Sequence, residues 1–492
     1  MDVFLAILNF IGQQILDVPA YLIGIITAIG LIAMHRNGGQ VIGGGLKAAM
    51  GYLILGAGAT VVTNALAPLG TLVLKVTGAN GVVPTNEVIT AMAAKSYGAQ
   101  AAYILILGFI VMLVLARFTP LRYIFLTGHH MVFMSLMLTV VLSWGMPHAS
   151  WLVVILGALL LGVIMVVMPA FAHPFMKKLT GDDSVAIGHF NTLGYIVSGA
   201  TGAAVGRTSK STEKIDFPQG LKFLRDSMVA TALSMVLIYM VFAIWGLIKL
   251  PLADALKIFA TSTSGESANQ GAFIMAAFAQ ALQFGIGVAI ILYGVRTILG
   301  ELVPAFEGIA SKVVPGAKPA LDIPIVFPYA SNAVLIGFLS SFVGGLVMLG
   351  LLAVWLGPVF GLALILPGMV PHFFDGGGAG VFGNATGGRR GAVVGGFING
   401  ILITILPAFL FVIFDAMGFK NSTFGDSDFC WLGSLLGLGY HGGEVLGTIL
   451  AIVLCAVLVV GASIYQRRVV DTGWIPGKRR DAYLATLPEE AA

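Results

Sequence analysis

WLVVILGALLLGVIMVVMPAFA, residues 151–172, runs without a single charged side chain. Its length matches the ~20 apolar residues that an α-helix needs to cross the hydrocarbon core of a bilayer. Working outward, comparable apolar runs recur near 20–34, 49–74, 99–116, 131–147, 228–248, 272–298, 332–356, 391–414 and 443–465. Of the 492 residues, 58% are hydrophobic and only 10% are charged, with a mean hydropathy of +0.98. A soluble domain carries about 25% charged residues, so lipid is the solvent for most of this surface. The sequence therefore predicts an all-α, polytopic membrane protein. Three further stretches, 3–16, 184–206 and 358–386, are apolar but broken by Gly, Pro, His or Asn. They suit short, interfacial or re-entrant elements and bring the expected total to about eleven crossings.

Several function classes drop out. A net charge of +4 is spread over scattered loops and the C-terminus, without the aromatic-interleaved basic patch of a nucleic-acid binder. Cys430 and Cys455 lack metal-ligand spacing and read as packing residues. The N-terminus has no basic region ahead of its apolar stretch and no small-residue cleavage pattern, so the first segments are expected to be retained. With the N-terminus outside, the positive-inside rule places every Lys and Arg on the cytoplasmic side except Lys75, Lys95, Lys249, Lys257 and Lys420. That topology needs 184–206 to enter and leave on the cytoplasmic side and 358–386 to return the chain inward. Irregular backbone at membrane depth is tolerated only where protein buries it or where it lines a wet cavity, so these stretches are the first expectation for a substrate site.

The polar residues near the apolar runs narrow the site. His129 and His130 open one run, and His189 lies in the first broken stretch, each near a glycine. Imidazole both donates and accepts hydrogen bonds, and glycine lets a ligand approach the backbone, which together suit hydroxyl recognition. The alternative is histidines bonded to carbonyls at helix ends. Asn86, Glu87 and Asp322 precede apolar runs, where an acid either meets a polyol or serves a helix N-terminus. His35, His148 and His173 read as interfacial, and Glu301 and Glu307 follow Arg296 on an expected cytoplasmic helix end, where the spacing leaves pairing to the local geometry. Residues 373–390, FFDGGGAGVFGNATGGRR, form a Gly-rich break. It lacks the Gly-Lys-Ser/Thr of a Walker loop, so nucleotide hydrolysis is not expected, and tight packing through small residues competes with a binding role. The Met-rich run 131–168 reads as packing.

At Gly78-Ala79-Asn80-Gly81, Leu126-Thr127-Gly128-His129, Ile187-Gly188-His189, Gly294-Val295-Arg296, Glu301 with Ala305-Phe306, Pro315-Gly316-Ala317, Asn332-Ala333-Val334, Pro367-Gly368 and Gly387-Gly388-Arg389, the chain resembles enzyme IIC (EIIC). This is the membrane component of the L-ascorbate branch of the bacterial phosphoenolpyruvate-dependent sugar phosphotransferase system. The resemblance implies inverted repeats, a core domain that holds the sugar and a V-shaped domain that makes a homodimer. It implies one permease unit over 1–465 with a basic, then acidic, cytoplasmic tail over 466–492, in the bacterial inner membrane. It places the ligand among Asn86, Glu87, His129, His130, Met131, Val132, Phe133, His189, Phe190 and Asp322. Ascorbate permeases carry Thr-Tyr at the Asn86-Glu87 position and Gln at Phe133 and Phe190. Phenyl rings in place of amides remove hydrogen bonds, which leaves a different sugar acid, or a polyol such as galactitol, open beside L-ascorbate. The resemblance implies soluble EIIA and EIIB partners that carry out the phosphoryl transfer. No catalytic residue, cofactor or metal is expected in this chain, and neither cysteine suits a phospho-acceptor in a soluble loop. An ion-coupled symporter using Glu87, Asp322 or Asp375 is the competing mechanism.

Overall fold

Repetition organises the chain. The computed structural model describes residues 18–147, 150–215, 227–260, 262 and 265–486. The first half runs α1 (Pro19–Ala33), α2 (Gly38–Thr77), β1 (Gly81–Pro84), α3 (Asn86–Phe118), β2 (Tyr123–Phe125), α4 (Gly128–Gly145), α5 (Trp151–Thr180), β3 (Ala186–Ile187) and α6 (Thr192–Val205). The second half repeats that order with α7 (Ser227–Lys249), α8 (Gln270–Val313), β4 (Lys318–Leu321), α9 (Ser331–Leu351), β5 (Leu364–Ile365), the two arms of α10 (Gly377–Ala416), β6 (Ser422–Thr423) and α11 (Ser427–His441). α12 (Glu444–Tyr465) and a short α13 (Lys478–Leu484) follow. Among the described residues nine helices are long and apolar enough to cross a membrane, and α1 and α6 are shorter apolar helices. The polytopic, all-α fold is as expected. The 3–16 stretch and His148 lie outside the described residues.

The two halves interlock through six very short strands. β1 pairs in parallel with β5 and β6, and β4 pairs in parallel with β2 and β3. Each sheet thus takes its central strand from one half and its edges from the other. The equivalent helices α2 and α8 cross with opposite directions. A Cβ built on Gly51 would lie 2.7 Å from the Gly294 oxygen, and one on Gly58 would lie 2.9 Å from the Gly287 oxygen. Paired helices of equivalent position that run antiparallel make the repeat an inverted one. The glycines remove side chains from the crossing and let the backbones approach, as small residues do between membrane helices.

Helices α1, α2, α7 and α8 pack chiefly on one another, whereas α3–α6 and α9–α12 form a second body around the strands. Side chains such as Ile29, Ile32, Leu53 and Phe118 remain exposed on the outer faces, an apolar surface that suits a membrane protein. The Gly-rich break is a reversal within α10. At Gly388 the backbone takes φ 59° and ψ −149°, a region open to glycine. A Cβ there would also strike the Lys210 and Ser209 carbonyls. The stretch 184–206 becomes β3 followed by α6, and 358–386 becomes β5, a π-helical turn at His372–Gly376 and the first arm of α10.

Two residues gain partners that the sequence left open. His173, near the C-terminal end of α5, is fully buried, with Nε2 2.6 Å from Asp183 Oδ1 and 3.1 Å from Lys318 Nζ. Glu301 does not pair with Arg296. Lys47 on α2 takes it at 2.8 Å, because the crossing of α2 and α8 brings a residue remote in sequence closer than one five positions away. His35 is exposed with φ 59°, and Met131, Met134 and Met137 pack in the core. Residues 466–486 are tied to the core: Arg480 Nε donates to the Ser209 carbonyl at 2.9 Å, and Lys178 meets Asp481 at 2.5 Å.

Candidate substrate site

Every strand hands over to a helical segment within a few residues, and the six junctions converge. β1 delivers Asn86 and Glu87, β2 delivers His129 and His130, β3 delivers His189, β4 delivers Asp322, β5 leads to Asp375 and β6 leads to Asp426. All eight line one cavity of about 540 Å³, with Phe133 and Phe374 beside them. That volume suits a small solute. The opposite wall belongs to the other body: Met228 and Thr231 of α7, and α8 from Gly285 through Arg296 to Leu299. A helix N-terminus presents unpaired N–H groups, so these junctions concentrate polar groups inside an otherwise apolar protein.

Hydrogen bonds cross between the halves. Asn86 Nδ2 donates to Asp426 Oδ1 at 2.5 Å, and the Gly425 N–H donates to Asn86 Oδ1 at 2.8 Å. The Phe190 N–H donates to His130 Nδ1 at 3.3 Å, and the Asn191 N–H donates to His189 Nδ1 at 3.2 Å. An Nδ1 that accepts leaves Nε2 as the protonated nitrogen of a neutral ring. Both buried imidazoles are therefore N–H donors at Nε2. His189 Nε2 lies 3.8 Å from Asp322 Oδ1, and His129 Nε2 lies 3.5 Å from Asp322 Oδ2. Asp322 also caps the turn that follows it, accepting from the Ile323 N–H at 2.8 Å, so the capping and the binding readings of this residue coexist. Tyr195 Oη lies 3.0 Å from His189 Nδ1 and 3.4 Å from Asp375 Oδ1.

Among the described residues, three buried carboxyl oxygens of the wall, Glu87 Oε2, Asp375 Oδ2 and Asp426 Oδ2, meet no donor, and the Asp375 and Asp426 carboxyls adjoin each other. Buried acceptors of this kind call for donors. A solute with several hydroxyls supplies them, while the imidazole N–H groups meet its oxygens. His129, His130 and Asp322, and likewise His130, His189 and Asp426, also come within metal-ligating distance of one another. Because backbone N–H groups already occupy Nδ1 of His130 and His189, these clusters are set up to hydrogen-bond.

Of the ten expected site residues, Asn86, Glu87, His129, His130, Phe133, His189 and Asp322 line the cavity. Met131, Val132 and Phe190 do not. The Phe190 ring stacks on Phe125 with centroids 4.7 Å apart, and Met131 and Val132 pack into the core. Asp426, which closes the wall opposite His130, escaped sequence reasoning. Its signal was Asp426-Ser427-Asp428 directly ahead of an apolar helix, the same pattern that singled out Asp322. Asp375 had been singled out only as part of the Gly-rich break and for ion coupling, and Arg296 only for its place ahead of Glu301 and Glu307.

Residues 14–428 match the EIIC-GAT family, described as the PTS system sugar-specific permease component. The chain belongs to that family. It is also similar to the ascorbate-specific PTS system EIIC component of Mycoplasma pneumoniae, with 28% identity over 450 residues, covering 82% of this chain. The match spans 65% of that relative's length. The family match includes all six strand–helix junctions of the permease and stops at Asp428, so the residues that build the cavity lie within the shared region.

Proposed function

We propose that this permease is the translocating EIIC subunit of a phosphotransferase system and that its solute is L-ascorbate. The supporting observation is the cavity itself. Its binding wall comes from junctions of both inverted halves, and its opposite wall comes from a separate helical body. Movement of one body against the other exposes such a site to the two membrane faces in turn. Asp322, with the Nε2–H groups of His129 and His189 beside it, and the buried acceptors Glu87, Asp375 and Asp426 engage the hydroxyl edge of the solute. Asn86 orients Asp426. Phe133, in edge contact with His129 at 5.6 Å between ring centroids, closes the apolar side.

On this reading α1, α2, α7 and α8 form the V-shaped scaffold of a homodimer within the lipid of the bacterial inner membrane. The basic loops and the 466–492 tail face the cytoplasm, and residues 1–465 act as one permease unit. The chain needs no cofactor and transfers no phosphoryl group itself. Soluble EIIA and EIIB partners phosphorylate the solute as it reaches the inner face, which prevents its return. Uptake of labelled L-ascorbate, measured in cells with and without the soluble components, tests the proposal. A phosphorylated product that accumulates only with the partners supports it. Partner-independent uptake that a protonophore abolishes replaces it with ion-coupled symport, and uptake of galactitol in preference to ascorbate replaces the solute.

A further inference from the structure

The cavity is lined by many acids and imidazoles but, among the described residues, by one permanently charged cation. Arg296 lies on α8, across from the junctions, with an exposed side chain on the cavity wall. No described carboxylate comes within ion-pairing distance of it, and the nearby acid Glu301 is occupied by Lys47 at 2.8 Å. A guanidinium is charged at every physiological pH, and its planar fork fits a delocalised or carboxylate anion in two-point fashion. A neutral polyol satisfies the acceptors of the junction wall and leaves this cation uncompensated.

We infer that Arg296 selects for an anionic solute: a sugar acid, or an acidic enediol lactone, whose hydroxyl edge meets the junctions while its charged edge meets α8. The inference rests on the chain being a solute permease and goes beyond that reading by naming the residue that reads the charge of the cargo. It also assigns the two edges to different bodies. The hydroxyl edge travels with the junctions, whereas the anionic edge is held only while α8 stands opposite them, so a shift between the bodies removes the anion contact and lowers affinity.

The full-length chain in detergent or nanodiscs tests this without any partner. Thermal stabilisation and competition binding are measured with two anions, L-ascorbate and L-gulonate, and two neutral compounds, galactitol and L-gulono-1,4-lactone. The wild-type chain is expected to bind the anions at least about tenfold more tightly than the neutral compounds, a ratio typical of one charge-assisted contact. Arg296→Gln is expected to lose about tenfold or more on the anions and much less on the neutral compounds, and Arg296→Lys is expected to recover part of the loss. An unchanged anion-to-neutral ratio in a folded Arg296→Gln chain overturns the inference, as does a wild-type chain stabilised by neutral compounds alone or by none of the four. Stabilisation by L-gulonate without L-ascorbate keeps the inference and rejects ascorbate as the solute, so the two failures are distinct.

Discussion

His189 Nε2 stands 3.8 Å from Asp322 Oδ1, although the two residues belong to opposite halves of the inverted repeat. The distance exceeds a hydrogen bond, and His129 approaches the other carboxylate oxygen at 3.5 Å with the same shortfall. The carboxylate is thus held between two imidazoles without being consumed by either. A solute hydroxyl can donate to Asp322 while its oxygen accepts from an Nε2–H. Asp322→Asn is expected to weaken L-ascorbate binding about ten- to hundredfold, the range for a hydrogen bond to a charged group. Isothermal titration of the detergent-solubilised chain measures it. Unaltered affinity would remove Asp322 from the site.

Asp428 supports the His189 junction from behind. Its carboxylate accepts from the Thr192 N–H at 2.8 Å, the Leu193 N–H at 3.2 Å and Trp431 Nε1 at 3.0 Å, and its own N–H donates to the Phe190 carbonyl at 2.8 Å. It therefore satisfies the first turn of α6 from the start of α11, the equivalent helix of the other half. Asp428→Ala leaves the Thr192, Leu193 and Trp431 Nε1 N–H groups without this acceptor and is expected to cost about 1–3 kcal/mol for each group left unsatisfied. A fall in melting temperature that bound solute restores in part is the expected result. Asp428→Asn, which keeps the shape and one acceptor, should fall between the two.

The crossing of α2 and α8 depends on absent side chains. Gly294→Val places methyl groups against the Gly51 carbonyl and the Leu55 backbone, which already lie 2.6 Å from a Cβ built at Gly294. Overpacking of this kind costs about 1–3 kcal/mol or forces the helices apart. Loss of stability in melting experiments is expected together with reduced transport, since α8 carries one wall of the cavity. Normal transport by a normally stable Gly294→Val chain would show that the close crossing is dispensable.

The membrane helices were legible because hydropathy reports them directly: residues 151–172 announce their span without any tertiary information. His129, His189 and Asp322 were legible because a polar residue beside an apolar run has to be explained. The strands were not. β3, β5 and β6 have two residues each, too few to display an alternating pattern, and each pairs with a strand far away in sequence. Asp426 and Arg296 became site residues only through those pairings and through the helix crossing, which no local pattern encodes. Phe190 entered the expected site through the resemblance alone; the tight turn after β3 sends its ring into the cluster with Phe125 and brings its N–H to His130.

Asp183 predicts an acid-dependent effect outside the spans. Partial burial acts to raise its pKa, but hydrogen bonds from Lys318 and His173 outweigh burial and hold it at about 2, below the ordinary 3.8. A carboxylate whose folded pKa is depressed adds stability that is fully present above its unfolded pKa and disappears as pH falls through the folded value. The contribution of Asp183 is therefore present above about pH 4 and lost on the way to about pH 2. Because its side chain is 53% exposed, solvent screening keeps that contribution below about 1 kcal/mol. Asp183→Asn is expected to lower the melting temperature slightly at neutral pH and to show a flatter decline than the wild type between about pH 4 and pH 2. Parallel declines in that window would mean that Lys318 and His173 do not hold the charge. Lys318 begins β4 and Asp322 follows its end, so the same substitution also tests whether this ion cluster anchors the strand that presents the site's half-buried carboxylate, Asp322. If it does, Asp183→Asn will weaken solute binding at neutral pH, and Asp183→Glu will restore it in part.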